Sequence, residues 1–273
     1  FDLESGEMAA LPEPPQQGPF KPCQNQAQHG NCNWVVPADS SDPFCPSCRL
    51  TEVIPDLDLP QNRAAWAKIE EAKRRLVYNL DRLGLRPLPR SEAHPNGLLF
   101  RFLSDEAAPP SDPVLTGHAN GVVTLNIAEA DDAERERRRT ALGEPYRTLL
   151  GHLRHEVGHY YWDQLVSGGQ ENAFRQVFGD ERQDYAASLK NNYEAGPPAD
   201  WADRHISSYA AAHPWEDWAE TWAHYLHMMD SLGTAVASKL RLDPVRKNDP
   251  DFNYERIDLD SFDSIIAAWP RPA

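Results

Sequence analysis

The spacing of apolar and polar positions changes along the chain and divides it into regions. Residues 1–22 are rich in Pro and acidic residues and show no apolar period, so we expect residues 1–20 to form an extended arm. Apolar residues then recur at helical spacing over residues 61–84, which predicts an amphipathic helix that ends at Gly84. Its predicted buried stripe consists of Trp66, Ile69, Lys73 through its aliphatic stem, Leu76, Leu80 and Leu83.

Two short runs, residues 97–103 and 121–127, are rich in β-branched and aromatic residues and are bounded by turn formers, so they predict β-strands. His118, in the stretch TGHANG, is expected in a turn. From about Asp131 onward the pattern predicts no further strand. Helical spacing there covers residues 131–141, 145–166, 171–178, 181–193, 215–231 and 260–268. Strands followed by helices are typical of an α+β domain with a small sheet against a helical body.

Composition narrows the class of protein. The chain has 273 residues, of which 40% are hydrophobic and 25% charged, as in an ordinary globular protein. No apolar run reaches the roughly 18 residues that a membrane helix needs, so we expect no membrane partner. The net charge of −15 disfavours nucleic acid as a partner. Because the chain starts at Phe1, we expect an incomplete N-terminus, and cytoplasmic localisation is expected unless a signal segment preceded it.

All the cysteines lie in one stretch near the N-terminus: Cys23, Cys32, Cys45 and Cys48. The last two form a CxxC pair, and such local clustering favours a closed, tetrahedral structural zinc site. We therefore predict a zinc ribbon over residues 21–58, whose folding free energy comes from the metal. His29 could replace one of the first two cysteines, and a redox CxxC pair or two disulfides are the rival interpretations. The ribbon could dock on the following domain or bind a partner protein.

The stretch HLRHEVGH, residues 152–159, carries candidate catalytic groups. In a helix, which Pro145 could begin at its first turn, its polar side chains share one face, so the spacing alone does not select the ligands. The pattern HExxH puts His155 and His159 one turn apart, where both can reach one zinc ion, and Glu156 can accept a proton from water. His152 is expected to lie beside the ligands or at the surface, with a substrate contact near the metal as the alternative. A chance match on a histidine-rich helix is the alternative.

A catalytic zinc site needs a third protein ligand, and the best source is a predicted helix that begins at Pro214. Its tryptophans and one methionine form a stripe expected to face a core: Trp215, Trp218, Trp222 and Met229. Glu216 and Glu220 lie one turn apart on another side, and His224 lies one turn further. Buried carboxylates are costly unless they are paired or bound to metal, so we rank Glu216 first, Glu220 second and His224 third. The alternative is a solvated face.

These residues resemble the glutamate-zincins, metallopeptidases in which HExxH is followed by a downstream glutamate ligand. The spacing of Tyr209, Glu216 and Glu220 is similar to that of anthrax lethal-factor-type proteases. That resemblance implies that Glu216 is the ligand and that the Tyr209 hydroxyl stabilises the oxyanion. Glu220 would then lie beside the metal without binding it.

The chain as a whole resembles a bacterial family of zinc-binding metallopeptidases with an N-terminal zinc ribbon. The likeness covers about residues 20–230, and three stretches carry it: CNWVVPADSSDPFCPSCRL, NIAEADDAERERRRTALGEPYRTLLGHLRHEVGHYYWD and HPWEDWAETWAHYLH. It implies a zincin-like metallopeptidase domain, which we expect over residues 59–273, after the ribbon.

The expected function is peptide-bond hydrolysis with one catalytic and one structural Zn²⁺, Glu156 as general base and a peptide or protein as substrate. The predicted strand at Val122–Ile127 is expected to offer an edge for an extended substrate. One alternative is a zinc-stabilised interaction module without turnover. Another is a zinc hydrolase that acts on a non-peptide amide.

Overall fold

A computed structural model describes most of the chain, namely residues 19–105, 114–142, 148–242, 252–253 and 257–269. The chain divides into two compact units, Phe1–Asp180 and Glu181–Ala273. Residues 1–18 of the predicted arm and Pro145, the predicted start of the histidine helix, lie outside the described residues.

The first unit contains a mixed sheet of four short strands, β3 (Thr51–Val53), β4 (Leu99–Leu103), β5 (Gly117–Ala119) and β6 (Val122–Asn126). Its order is β3-β4-β6-β5; β3, β4 and β6 are parallel and β5 is antiparallel to β6. Both predicted strands are therefore confirmed. The expectation of an edge at 122–127 is wrong, because β6 lies between β4 and β5, and β5 is the strand at that edge.

The N-terminal part of this unit is a small two-stranded sheet with a helical turn. Strands β1 (Phe20–Pro22) and β2 (Val35–Pro37) pair antiparallel, with helix α1 (Gln24–His29) between them in the chain. A short 3₁₀ turn, Cys48–Leu50, leads directly into β3. The predicted ribbon, residues 21–58, is thus joined to the larger sheet, because its last strand, β3, pairs with β4.

The helices of the first unit are α2 (Pro60–Arg82), α3 (Asp132–Leu142), α4 (Leu149–Leu165) and α5 (Glu171–Phe178). The predicted stripe of α2 is largely buried. The helix ends at Arg82, and Gly84, two residues further, has a left-handed backbone with φ of +70°. Helix α2 packs against α4.

Lys73 departs from the prediction that only its stem is buried, because the whole side chain is buried. Its Nζ donates to Glu70 Oε1 at 2.9 Å and also contacts the Thr51 hydroxyl. The same nitrogen lies 5.6 Å and 5.5 Å from the ring centroids of Phe100 and Phe102. A lysine can be buried in this way because an ion pair and aromatic faces replace its water.

The second unit contains helices α6 (Tyr185–Ala195), α7 (Pro214–Ala237) and α8 (Phe262–Ala268) and a minimal strand pair, β7 (Arg241–Leu242) with β8 (Phe252–Asn253). The prediction of no strand after Asp131 is therefore wrong. Such two-residue strands have no alternation that a sequence pattern could detect.

Helix α7 begins at Pro214 as predicted, but its core-facing side differs from the prediction. Trp215, Trp218 and Trp222 are half-buried. The buried apolar residues in this part of the helix are Ala219, Ala223 and Leu226. Small side chains let a neighbouring element approach closely, and the large rings then cover the flanks. The fold class is α+β with small sheets and a helical body, as predicted. Among the described residues, no helix combines the length and apolar character that crossing a membrane requires.

Candidate metal centres

The four cysteines form one buried cluster in the first unit, with their sulfurs within 4.8 Å of one another. All four are free thiols, which excludes the disulfide interpretation in this structure. Cys32 Sγ lies 3.7 Å from both Cys45 Sγ and Cys48 Sγ. Zn–S bonds of about 2.3 Å in a tetrahedron separate sulfurs by about 3.8 Å, so the donor set and its spacing fit a structural zinc ion.

Backbone groups support this cluster. The N–H groups of Trp34, Cys45 and Cys48 each approach a cysteine sulfur at 3.4 Å. Hydrogen bonds from the neighbouring thiols, first of all Cys32, hold the pKa of the Cys23 thiol well below its usual value. Hydrogen bonds with the neighbouring thiols, first of all Cys23, raise the pKa of the Cys45 and Cys48 thiols instead. Thiolate, the form that binds metal, is thus favoured at Cys23 and disfavoured at Cys45 and Cys48 as long as no cation is bound. His29 lies apart from it, since its ring packs edge-on against Trp66 with centroids 5.5 Å apart.

The HExxH residues lie on α4, also in the first unit. The helix begins after Thr148, whose Oγ1 accepts a hydrogen bond from the Gly151 N–H at 3.0 Å. Fully buried Leu153 and Val157 anchor α4 on its apolar side. Buried Arg154 adds a polar anchor, because its Nη2 donates to the side-chain oxygen of Asn79 on α2 at 2.9 Å.

The helix brings the two predicted imidazole ligands together. The rings of His155 and His159 meet edge-on with centroids 4.9 Å apart, and each offers a ring nitrogen within 4.8 Å of the other. His159 is 4% exposed, and His155 and Glu156 are half-buried. This pair of nitrogen donors fits zinc, with the carboxylate of Glu156 adjacent in sequence to the first of them.

Two titratable residues near His159, His118 and Asp163, were not predicted as site residues. His118 was expected in a turn but lies on β5, and its ring stacks on His159 with centroids 6.2 Å apart. Burial, with a smaller effect of His159, lowers the pKa of His118 to about 4. Burial also raises the pKa of Asp163, an effect that His159 partly opposes. Strand pairing places His118 there, and a three-residue strand carries no sequence signal for it.

His152, which its position on the helix places near the predicted ligands, contacts Glu129. Its Nδ1 lies 3.2 Å from Oε2 of Glu129, a carboxylate that is 1% exposed in the 3₁₀ turn Ile127–Ala130. The two form an ion pair when His152 is protonated. Glu129 lies just before the charged residues that begin at Asp131 and that are typical of a solvent-exposed helix. Its burial therefore could not be predicted from the sequence.

The second unit positions Glu216 in the first turn of α7. His213 caps this helix, because its Nδ1 accepts the Trp215 N–H at 3.1 Å. Glu216 is 1% exposed, and the Tyr185 hydroxyl donates to its Oε1 at 2.6 Å. Tyr185 was not among the predicted site residues.

The other residues of the predicted spacing lie close by in the same unit. Tyr209 is half-buried, and burial followed by the charge of Glu216 raises the pKa of its hydroxyl. Glu220 is half-buried and accepts a hydrogen bond from Ser207 Oγ at 2.7 Å. His224, the third-ranked ligand, directs Nδ1 to the Glu220 carbonyl oxygen of its own helix at 2.8 Å.

Comparison with known proteins agrees with this chemistry. Residues 62–271 match the sequence model of a family described as "Putative zinc-binding metallo-peptidase", and residues 4–59 match a zinc-ribbon domain. The chain therefore belongs to this zinc-binding metallopeptidase family and carries an N-terminal zinc ribbon, as the resemblance implied.

The chain is similar to proteins of mycobacteria. The uncharacterized protein Rv2568c of Mycobacterium tuberculosis strain H37Rv is 43% identical over 240 residues, which cover 87% of this chain and 68% of the relative. The uncharacterized protein Mb2598c of Mycobacterium bovis matches with the same identity and coverage. No solved structure matches the chain.

Proposed function

We propose that the chain is a zinc-dependent peptidase that hydrolyses peptide bonds in a peptide or protein substrate. His155, His159 and Glu216 hold a catalytic zinc ion, and the four cysteines hold a second, structural one. The observation that carries the proposal is the pair of imidazoles that meet on α4 beside Glu156, in a chain of a zinc-binding metallopeptidase family.

The burial of Glu216 supports its place as the third ligand. A carboxylate with 1% exposure is costly to ionise unless a cation or several donors compensate it. The Tyr185 phenol supplies part of this compensation, and a zinc ion would add to it. Glu220 is more exposed and accepts from Ser207, so it is the weaker candidate.

When bound, zinc lowers the pKa of water toward about 7 and polarises a carbonyl group. Glu156 takes the proton of the attacking water and returns it to the leaving amine. The Tyr209 hydroxyl donates a hydrogen bond to the carbonyl oxygen as negative charge develops on it. The four-residue spacing keeps both imidazoles on one face of α4, and Thr148 caps the start of that helix.

We further propose that the ribbon serves the first unit rather than a partner protein. Strand β3 pairs with β4, and Arg74 on α2 donates to the Asn31 carbonyl oxygen at 3.0 Å. The ring of His29 packs against the fully buried Trp66 of α2. The described contacts of the ribbon thus stabilise the sheet and helix that carry the histidine helix.

Digestion of an unbiased peptide library tests the proposed function. We expect cleavage by the zinc-loaded wild type, and no cleavage by Glu156→Gln at the same zinc content. Glu71→Gln, an equivalent change of an exposed glutamate on α2, is the matched control and should cleave like the wild type. Zinc binding with no cleavage of any peptide by the wild type would favour an interaction module or a non-peptide amide substrate instead.

A further inference from the structure

Tyr185 makes a contact that the proposed mechanism does not yet use. It is the first residue of α6, yet its hydroxyl donates to Glu216 Oε1, on α7, at 2.6 Å. A hydrogen bond from a hydroxyl to an ionised carboxylate is short and roughly twice as strong as one between neutral groups. Within the second unit, this contact links the start of one helix to the start of another.

The ring of Tyr185 is held by the residues that also begin α7. It packs edge-on against His213, with centroids 5.2 Å apart, and against Trp215, with centroids 5.7 Å apart. His213 caps α7 through the Trp215 N–H. The phenol and the backbone turn that carries Glu216 are therefore fixed by the same two residues.

The backbone of Tyr185 is fixed as well. Asp184 caps α6, because its Oδ1 accepts the Ala187 N–H at 3.0 Å. His213 Nε2 lies 3.3 Å from the Gln183 carbonyl oxygen, just before that cap. The direction from which the hydroxyl reaches the carboxylate is thus set by the fold of the second unit.

We propose that Tyr185 is a positioning residue for the catalytic zinc: its hydrogen bond to Glu216 fixes the plane of that carboxylate for metal binding. The inference rests on the proposed function, because it takes Glu216 as the third ligand. A free glutamate side chain samples several rotamers, and the ordering of this one before metal arrives removes an entropy cost from binding. Partners that orient metal ligands are typically worth about 10–100-fold in metal affinity or activity.

The contact separates Tyr185 from the other tyrosines nearby. Tyr209 is assigned to the oxyanion, and Tyr193 is 63% exposed. The hydrogen bond of Tyr185 to the glutamate joins residues 31 positions apart. No spacing in the sequence signals this contact, so Tyr185 could not be predicted as a site residue.

The test compares zinc affinity in Tyr185→Phe, wild type and the matched control Tyr225→Phe by competition with a chelator. Phenylalanine keeps the ring contacts with His213 and Trp215 and removes only the hydroxyl. We expect the more weakly held of two zinc ions to bind about 10–100-fold more weakly in Y185F. The zinc ion of the cysteine cluster, measured in the same molecules, should keep its affinity, as should both ions in Y225F.

Thermal unfolding of the proteins with zinc bound at the cysteine cluster alone separates positioning from a merely structural role. A positioning role leaves the midpoint of Y185F close to that of the wild type and lowers the affinity for the second zinc ion alone. Wild-type affinity for both ions in Y185F would overturn the inference, as would equal weakening of both. If the wild type binds only the ribbon zinc, the proposed function itself is what fails.

Discussion

The two candidate metal centres differ in how their ligands are distributed along the chain. The four cysteines come from one stretch, residues 23–48, and their sulfurs already cluster within 4.8 Å. The proposed catalytic centre takes His155 and His159 from α4 and Glu216 from α7, far downstream. A closed site of four thiolates stabilises its own surroundings, whereas an open site of three ligands relies on other residues to orient them.

The supports of the two centres differ accordingly. Around the thiolates the support is backbone N–H groups of the same stretch. Around the proposed open centre, residues outside the ligand set position the ligands. Thr148 caps the helix of both histidines, His213 caps α7, and Tyr185 donates a hydrogen bond to Glu216. The proposed closed centre therefore depends on local spacing, whereas the proposed open centre depends on how segments far apart in the sequence fold.

Cys48→Ser is expected to have the largest effect, because it removes one of four thiolates from a fold too small to bury a core. Zinc binding supplies about 10–16 kcal/mol to such folds near neutral pH. We expect the ribbon zinc to be lost, together with the protection of amides from β1 to β3 against hydrogen exchange. Ser41→Ala, an exposed change in the same ribbon, should leave both unchanged. Retention of zinc and protection in C48S would contradict a closed structural site.

Glu216→Ala tests the open centre in the same way. Loss of the third ligand should reduce zinc content from two ions to one per chain, since two imidazoles alone hold the metal weakly. Glu220→Ala, one turn further along α7, is the matched variant and should keep both ions. Mass spectrometry under native conditions counts the ions directly. Loss of one zinc ion in E220A, with both ions kept in E216A, would instead identify Glu220 as the third ligand.

Lys73→Met tests the buried contacts that Lys73 of α2 makes with Glu70 and with Thr51 on β3. The change leaves Glu70 buried without its cation, which typically costs about 3–5 kcal/mol in the free energy of unfolding. Denaturant unfolding measures the loss. Lys68→Met removes an exposed partner of Asp132 and should lower the free energy of unfolding far less. Equal costs for the two variants would show that the buried pair contributes nothing special.

Thr148→Ala is expected to have the smallest effect. It removes the side-chain cap of α4, which is worth about 1 kcal/mol of stability. Thr148→Ser keeps a capping hydroxyl and should recover most of the loss in a thermal unfolding experiment. A loss in T148S as large as that in T148A would assign the effect to the threonine methyl group instead.

Elements with a strong local pattern could be predicted from the sequence. Helix α2 shows its apolar stripe, β4 and β6 stand out as β-branched and aromatic runs, and the cysteine spacing indicates the ribbon. The three-residue strands β3 and β5 could not be predicted, because pairing with the distant strand β4 creates β3 and because β5 is too short to show an alternating pattern. The prediction that the tryptophans of α7 face a core is wrong, because the elements that pack against a helix decide which side is buried.

The candidate site follows the same division. His155, Glu156 and His159 are visible in one motif, and Tyr209 with Glu216 follows from a spacing that a known group shares. His118, Glu129 and Tyr185 are not visible, because each reaches the site region through a tertiary contact and not through a motif. Sequence therefore predicts the groups that bind or react, and the fold supplies those that orient them.

The most direct test of the central claim is the rate at which zinc-saturated Glu156→Gln hydrolyses a peptide that the wild type cleaves. Loss of a general base typically lowers the rate by about 10²–10⁴-fold. We expect a loss of that size with both zinc ions retained, and the wild-type rate for E71Q. Hydrolysis by zinc-saturated E156Q at the wild-type rate would contradict the proposed role of Glu156 and, with it, the catalytic centre.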